Sequence, residues 1–260
     1  MDMKENNMLK FSPANAKLKL LEDRIDKKIY SFSLLSGHSC PFAHNCYSKV
    51  INRKIVDGPN TQFRCFSASQ ESFYPKTYDA REYNFNLIKA EKGNINNLSY
   101  LIRESIPKNA EVIRIHIGGD FYNQSYFDSW LDVANRTPHI NYYAYTKSLY
   151  YWIARKQVIP KNLVLTASYG GKLDNLISKH RLRKAVVIHD VKTCQAIVDS
   201  GNSDIVPCGK YKGYEIDHDD FHAYDPKLKN KSFGLLVHNL MPKGSEASKA
   251  VNILNGIGSY

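Results

Sequence analysis

Three cysteines in the first quarter of the chain, Cys40, Cys46 and Cys65, are the residues best placed to do chemistry; their spacing is Cys-x5-Cys-x18-Cys. They lie in Gly37-His-Ser-Cys-Pro-Phe-Ala-His-Asn-Cys-Tyr47 and Phe63-Arg-Cys-Phe-Ser67. Thiolates are soft ligands, and a gathered set of them holds iron–sulfur clusters or zinc. Structural zinc sites commonly pair their cysteines as knuckles roughly two to four residues apart, and no such knuckle is present. The chain has five cysteines, so any disulfide scheme leaves one unpaired. The pattern points first to a [4Fe–4S] cluster, with zinc or ordinary core thiols as the alternatives. Cys208, in Val206-Pro-Cys-Gly-Lys210, is the expected fourth metal ligand. Cys194, Asp120, a histidine or an open iron are the other ways to complete the set.

A second constellation follows Arg114-Ile-His-Ile117. There Gly118 and Gly119 permit close backbone approach, and Asp120 is placed to orient a cofactor; the plainer reading makes Asp120 the cap of the next helix. His116 reads as a barrel-interior or a satisfied core histidine. His38 and His44 flank the first two thiols and suit hydrogen bonding around a metal. Lys147 is placed to bind an anion, and Tyr150, Tyr151 and Trp152 to stack bases or fill core. The run Asp217-His-Asp-Asp-Phe-His222 is either a divalent-metal site or a polar loop.

These residues need elements to position them. Short apolar runs at Ile29–Leu35, Val112–Ile117, Ile140–Tyr145, Leu163–Ala167, Ala185–His189, Ile205–Val206 and Phe233–Val237 read as strands. Helical spacing appears at Tyr126–Asn135, Leu149–Gln157, Leu173–His180 and Cys194–Ser200. Residues 73–106 read as two helices broken at Lys92-Gly93-Asn94. Alternating strands and helices imply βαβ units on a parallel sheet. The expected fold is α/β, a TIM-barrel-like (β/α) barrel, complete or partial, since about 250 residues is typical of that fold. A doubly wound open sheet is the alternative. One domain is expected over residues 1–260, with an N-terminal extension at 1–28 and a cysteine-bearing insertion with helices at 36–106. In such folds reactive groups gather at the strands' C-terminal ends. Cys40, Gly118-Gly119-Asp120, Thr146-Lys147, Ser168-Tyr169-Gly170-Gly171, Asp190 and Cys208 would then share one rim.

The formal net charge of +11 over 260 residues favours encounter with polyanions, RNA or DNA above all. No basic run exceeds a few residues. No apolar run approaches the roughly 18–20 residues that span a bilayer, so no membrane partner is expected. The N-terminal residues lack a signal peptide's apolar segment, which makes a reducing, cytoplasmic location the expectation.

Ser36-Gly-His-Ser-Cys-Pro41, Phe63-Arg-Cys65, Arg114-Ile-His-Ile-Gly-Gly-Asp-Phe121, Ser125-Tyr-Phe-Asp-Ser-Trp130 and Tyr143-Ala-Tyr-Thr-Lys-Ser148, in that order, resemble the phage gene product eighty-eight family. The resemblance spans about residues 30–210 and implies a phage-encoded, cysteine-rich iron–sulfur protein working in the bacterial host's cytoplasm. A looser similarity is to radical S-adenosylmethionine barrels. Those carry three cysteines after the first strand and a Gly-Gly-Glu-like motif after the second, in the place of Gly118-Gly119-Asp120, though on a much tighter cysteine loop. It implies S-adenosylmethionine as a possible second cofactor, held on an iron that no fourth thiol closes.

Overall fold

A computed structural model describes residues 8–207, 209–211 and 213–255. Its strands are β1 (Ser12–Pro13), β2 (Ile29–Phe32), β3 (Ser48–Ile51), β4 (Lys54–Asp57), β5 (Val112–Ile115), β6 (Asn141–Thr146), β7 (Leu163–Ser168), β8 (Lys184–Ile188), β9 (Glu215–Ile216) and β10 (Phe233–Leu236). Its helices are α1 (Ala16–Ile25), α2 (Phe66–Phe73), α3 (Pro75–Ala90), α4 (Ile95–Ser105), α5 (Gln124–Arg136), α6 (Leu149–Ala154), α7 (Asn175–Lys179), α8 (Val191–Asp199), α9 (Phe221–Tyr224) and α10 (Glu246–Leu254). Polar side chains start several of them: Asn15, Asn94, Asn123, Asp190 and Ser245 each accept a first-turn amide and so satisfy a donor the helix itself cannot.

Eight strands form one sheet in the order β1-β2-β5-β6-β7-β8-β10-β9. β1 runs antiparallel to β2, and every other neighbouring pair is parallel. From β2 to β8 the order follows the chain without reversal, and the chain then steps out to β9 and back to β10. Right-handed crossovers that travel in one direction lay their helices on one face. That face buries Phe32, Ile113, Ile115, Tyr142, Ala144 and Leu165 against Leu98 and Ile102 of α4 and Phe127 and Trp130 of α5. Farther along, Val186 and Ile188 pack with Ile197 of α8 and Ala247 and Ala250 of α10. The alternate residues Ile29, Val112, Tyr143, Val164 and Phe233 face the other way, onto Leu18 and Leu21 of α1 and Ala223 of α9. Residues 12–25, read from sequence as part of an extension, thus carry an edge strand and a helix that packs Leu18 and Leu21 on that sheet face.

The register is staggered. β5 and β6 pair along the whole of β5, from Val112↔Asn141 to Ile115↔Ala144. β8 instead meets β7 only at its end, through Ala167↔Lys184 and Ser168↔Ala185. The β8–β10–β9 part of the sheet consequently projects beyond the C-terminal ends of β5–β7. Among the described residues there is no closed barrel: the sheet is open, with the two-residue strands β1 and β9 at its edges. The expected strand at Ile205–Val206 is instead a single antiparallel bridge, Ile205↔Glu215. The seventh parallel strand is Glu215–Ile216, too short and too polar to be read from periodicity.

Candidate functional site

The long segment between β2 and β5 brings the first-quarter thiols together, and a hairpin is the device. β3 and β4 pair antiparallel across Asn52 and Arg53, both in the left-handed region at φ 49° and 64°, as a tight hairpin turn demands. The chain leaves from Cys46 and returns to Cys65. At the open end Gly58 N–H donates to Tyr47 O (2.7 Å), and Gln62 and Phe63 N–H donate to Asn45 O (2.7 and 3.2 Å). Asp57 then clamps Arg64, accepting from Nη2 at 2.6 Å, while Ser48 Oγ donates to Asp57 at 2.8 Å and accepts from Cys65 N–H at 3.3 Å. Eighteen intervening residues are folded away, and Cys46 and Cys65 come within electrostatic range of each other and of Cys40.

The Cys40–Cys46 loop is laced to the ends of the parallel strands. Asn45 N–H donates to Gly170 O (2.9 Å), Lys172 N–H donates to Phe42 O (2.9 Å), and Ala43 bridges Gly171, all beyond β7. The Gly118–Gly119 loop beyond β5 lies under it. A Cβ on Gly119 would stand 2.5 Å from Ser39 Oγ and 2.8 Å from Leu34 Cβ; one on Gly118 would stand 2.2 Å from Ser67 Oγ. Glycine is required because the cysteine loop and α2 occupy that space. The rim expected from the sequence therefore forms, with Cys40, Gly118–Asp120, Lys147, Ser168–Gly171 and Asp190 at strand ends.

Asp120 does not cap a helix, since Asn123 caps α5. It joins strand ends: Oδ1 accepts from Phe121 N–H (2.8 Å) and Thr146 Oγ (2.6 Å), and Oδ2 from Lys147 N–H (2.8 Å). Burial lifts its pKa to about 6, against the pull of those donors. The Lys147 ammonium is not free for an anion: it donates to Ser168 Oγ (2.6 Å), Ser168 O (3.1 Å) and Tyr169 O (3.1 Å).

Burial first, then the charges of Asp120 and Cys65, holds the Cys40 thiol well above its ordinary range. Burial and then Cys46 push Cys65 up to about 11, opposed by the amides of Ala68 and Ser67 at the start of α2. Burial and neighbouring negative charge thus disfavour the thiolate forms of Cys40 and Cys65, and a bound cation would favour them. As a donor set the three thiols suit a soft metal or an iron–sulfur cluster. Among the described residues no group of three or more His, Cys, Asp or Glu side chains stands in coordination geometry. The thiols are gathered but not closed around a point.

A family model for gene product 88 matches residues 6–252. The chain belongs to the gene product 88 family. No curated protein and no solved structure matches it.

In this gene product 88 member the remaining candidates fall into place around the rim or away from it. Cys208 lies outside the described residues. Cys194 is buried on the apolar face of α8, among Ile197, Ala247 and Ala250. His38 bonds Val50 O through Nε2 (3.2 Å) and His44 bonds Asn45 Oδ1 through Nδ1 (2.7 Å); both brace the loop. His116 is buried among aromatics, its Nε2 2.9 Å from Tyr126 Oη, and burial lowers its pKa to about 3. Tyr151 and Trp152 pack inward, while Tyr150 is exposed.

Among the described residues the Asp217–His222 run forms no metal-holding group; its side chains serve as anchors. Asp219 pairs with Arg24 (2.9 Å), and His222 with Glu215 (3.0 Å). Asp220 is buried under the sheet against Lys17 (2.8 Å), Arg114, Tyr143 Oη (3.2 Å) and Tyr145 Oη (3.1 Å). Sequence reading missed Glu71, fully buried on α2. Its Oε1 accepts from Ser36 N–H, Ser36 Oγ and Arg81, while its Oε2 has no hydrogen-bond partner among the described residues. The only signal was a carboxylate six residues beyond a cysteine. No helix among the described residues is long and apolar enough to cross a membrane.

Proposed function

We propose that this chain is an iron–sulfur protein in which Cys40, Cys46 and Cys65 hold a [4Fe–4S] cluster, with Cys208 as the expected fourth ligand, serving a redox or sensing role in the host cytoplasm. The observation that carries this reading is the hairpin-driven meeting of three sequence-distant thiols at the strands' C-terminal ends. Backbone amides directed at Cys65, and at Cys40 from Gly37, suit sulfur carrying negative charge, and hydrogen bonds of this kind tune cluster potential. Anaerobic purification is the test. The expected product is brown, with about four iron and four sulfide per chain, and Cys40→Ser, Cys46→Ser or Cys65→Ser loses most of it. A colourless protein with one zinc per chain overturns the proposal.

A second reading is favoured by the strand order and stagger. We read the sheet as the wall of a partial barrel, because a parallel order that is sequential from β2 to β8 and a register offset at β7–β8 are what closure around an axis requires. Its first parallel strand leads to the cysteine loop and its second to Gly118-Gly119-Asp120, as in radical S-adenosylmethionine enzymes. On this reading three cysteines leave one iron open to that cofactor. The Cys208→Ser variant separates the two. Cluster retention, together with a paramagnetic signal that changes on adding S-adenosylmethionine, supports the enzyme; loss of the cluster supports the four-thiol protein.

A further inference from the structure

The hairpin that gathers the thiols has a second face. β3 and β4 lie outside the main sheet. Their inward residues Ser48 and Val50 are buried beside α2. The register pairs Lys49 with Val56 and Ile51 with Lys54, so these four share the outward face. Ile51 is 40% and Val56 43% exposed. Beside the turn, Ser72 Oγ donates to Arg53 O (3.2 Å) and Arg53 Nη1 to Pro75 O (3.4 Å), which fixes the end of α2 against the ribbon. There Phe73 and Tyr74 project, 61% and 62% exposed. Two adjacent aromatic rings left in water on an ordered helix end are costly without a partner.

The charges around this surface are selectively neutralised. Every carboxylate between residues 46 and 81 is taken: Asp57 by Arg64, Glu71 by Arg81 and Asp79 by Arg53. The same stretch holds six basic residues and three acidic ones, a difference of +3. What remains is Lys49, Lys54 and Lys76, none in an ion pair among the described residues. The surface thus combines an exposed ribbon face, exposed aromatic rings and an uncompensated positive charge.

We propose that this ribbon and the Phe73–Tyr74 step form a binding surface for single-stranded nucleic acid, the lysines meeting phosphates and the two rings stacking bases. Lysines alone would take any polyanion, duplex included. The rings select the single strand, because only unpaired bases offer a free face. The proposal does not depend on the cluster reading, since it uses only the hairpin's outer face and the end of α2.

The test is fluorescence anisotropy of the full-length protein with a labelled mixed-sequence 20-nucleotide DNA or RNA strand, titrated at several salt concentrations. Binding is expected to weaken with salt with a log–log slope of about −2, since each phosphate contact on a single strand contributes about −0.7. The triple variant Lys49→Glu/Lys54→Glu/Lys76→Glu is expected to lose more than tenfold in affinity and most of the slope. Phe73→Ala/Tyr74→Ala is expected to lose about thirtyfold or more with the slope kept, because each of the two rings stacks a base. Lys192→Glu/Lys249→Glu, on α8 and α10, serves as the charge control and is expected to bind as wild type. Circular dichroism melts and titration of accessible thiols, measured on every variant, show that fold and cysteine loop are intact. Wild-type affinity in both surface variants, equal affinity for duplex, or binding to anionic lipid vesicles but not to oligonucleotide overturns the proposal.

Discussion

Asp220 shows how much one side chain can decide. The sheet face it serves carries Arg114, Tyr143 and Tyr145 inward, groups that are expensive to bury unless paired. Asp220 meets them and Lys17 together. Burial favours its protonated form, but Arg114 and then Lys17 outweigh that and hold it at about 2. A carboxylate depressed in the folded state adds stability above its unfolded value and loses it as pH falls through the folded one. Asp220→Asn should therefore cost about 3–5 kcal/mol at pH 7, as removal of one partner of a buried pair does. In urea unfolding the gap from wild type should narrow from about pH 4 down to about pH 2. An unchanged gap at low pH would show that Asp220 acts by shape, not charge. In sequence this aspartate was one of three in a polar run, and nothing local distinguished the buried one. The cysteines were legible because thiols are rare and their spacing is unusual. Lys147 was legible as a rim residue but not as a saturated donor, because its acceptors come from β7.

At the scale of elements, the cysteine loop is held by what lies beneath it. Gly119, at φ +86°, leaves room only for Ser39 and Leu34. Gly119→Ala combines a left-handed alanine with overpacking, each worth roughly 1–3 kcal/mol, and is expected to destabilise by about 2–4 kcal/mol in chemical denaturation. Adding Ser39→Ala should recover only part, since Leu34 Cβ still clashes. Full recovery would mean that the loop docks less tightly than the geometry indicates. The β3–β4 hairpin escaped the sequence reading for a physical reason: its turn is Asn-Arg, where Asn-Gly is the usual signal. Arg53 tolerates positive φ there with its guanidinium tied to Asp79 and Pro75 O. The helices α4, α5 and α8 were legible, because each carries a one-sided apolar stripe.

Across the whole molecule, stability should be graded along the sheet. β5, β6 and β7 are paired on both sides and covered on both faces, while β1 and β9 are two-residue edges. Hydrogen exchange is expected to be slowest at amides of Ile113–Ile115, Tyr142–Tyr145 and Leu165–Ala167, and fastest among sheet residues at Ile216. Equal protection of β9 and β6 would contradict an open sheet and imply that the edge is closed by other residues. The positive charge also becomes intelligible at this scale. It is not a basic tail but a surface property, and the outer ribbon holds a share that its own carboxylates leave uncompensated.

By itself the sequence determined the βα alternation, the parallel direction of the strands, the rim on which Cys40 and Asp120 would lie, and membership of the family. These follow from side-chain periodicity and short motifs, which act over a few residues. Only the tertiary structure decided that the sheet stays open, that α1 and α9 cover its second face, and that Asp120 joins β5 to β6 instead of capping α5. It also decided that Cys65 returns to Cys46. The physical reason is common to all four. Each depends on pairings between residues far apart in the chain, where register, turn geometry and competition for hydrogen-bond donors choose among arrangements that local pattern leaves equal.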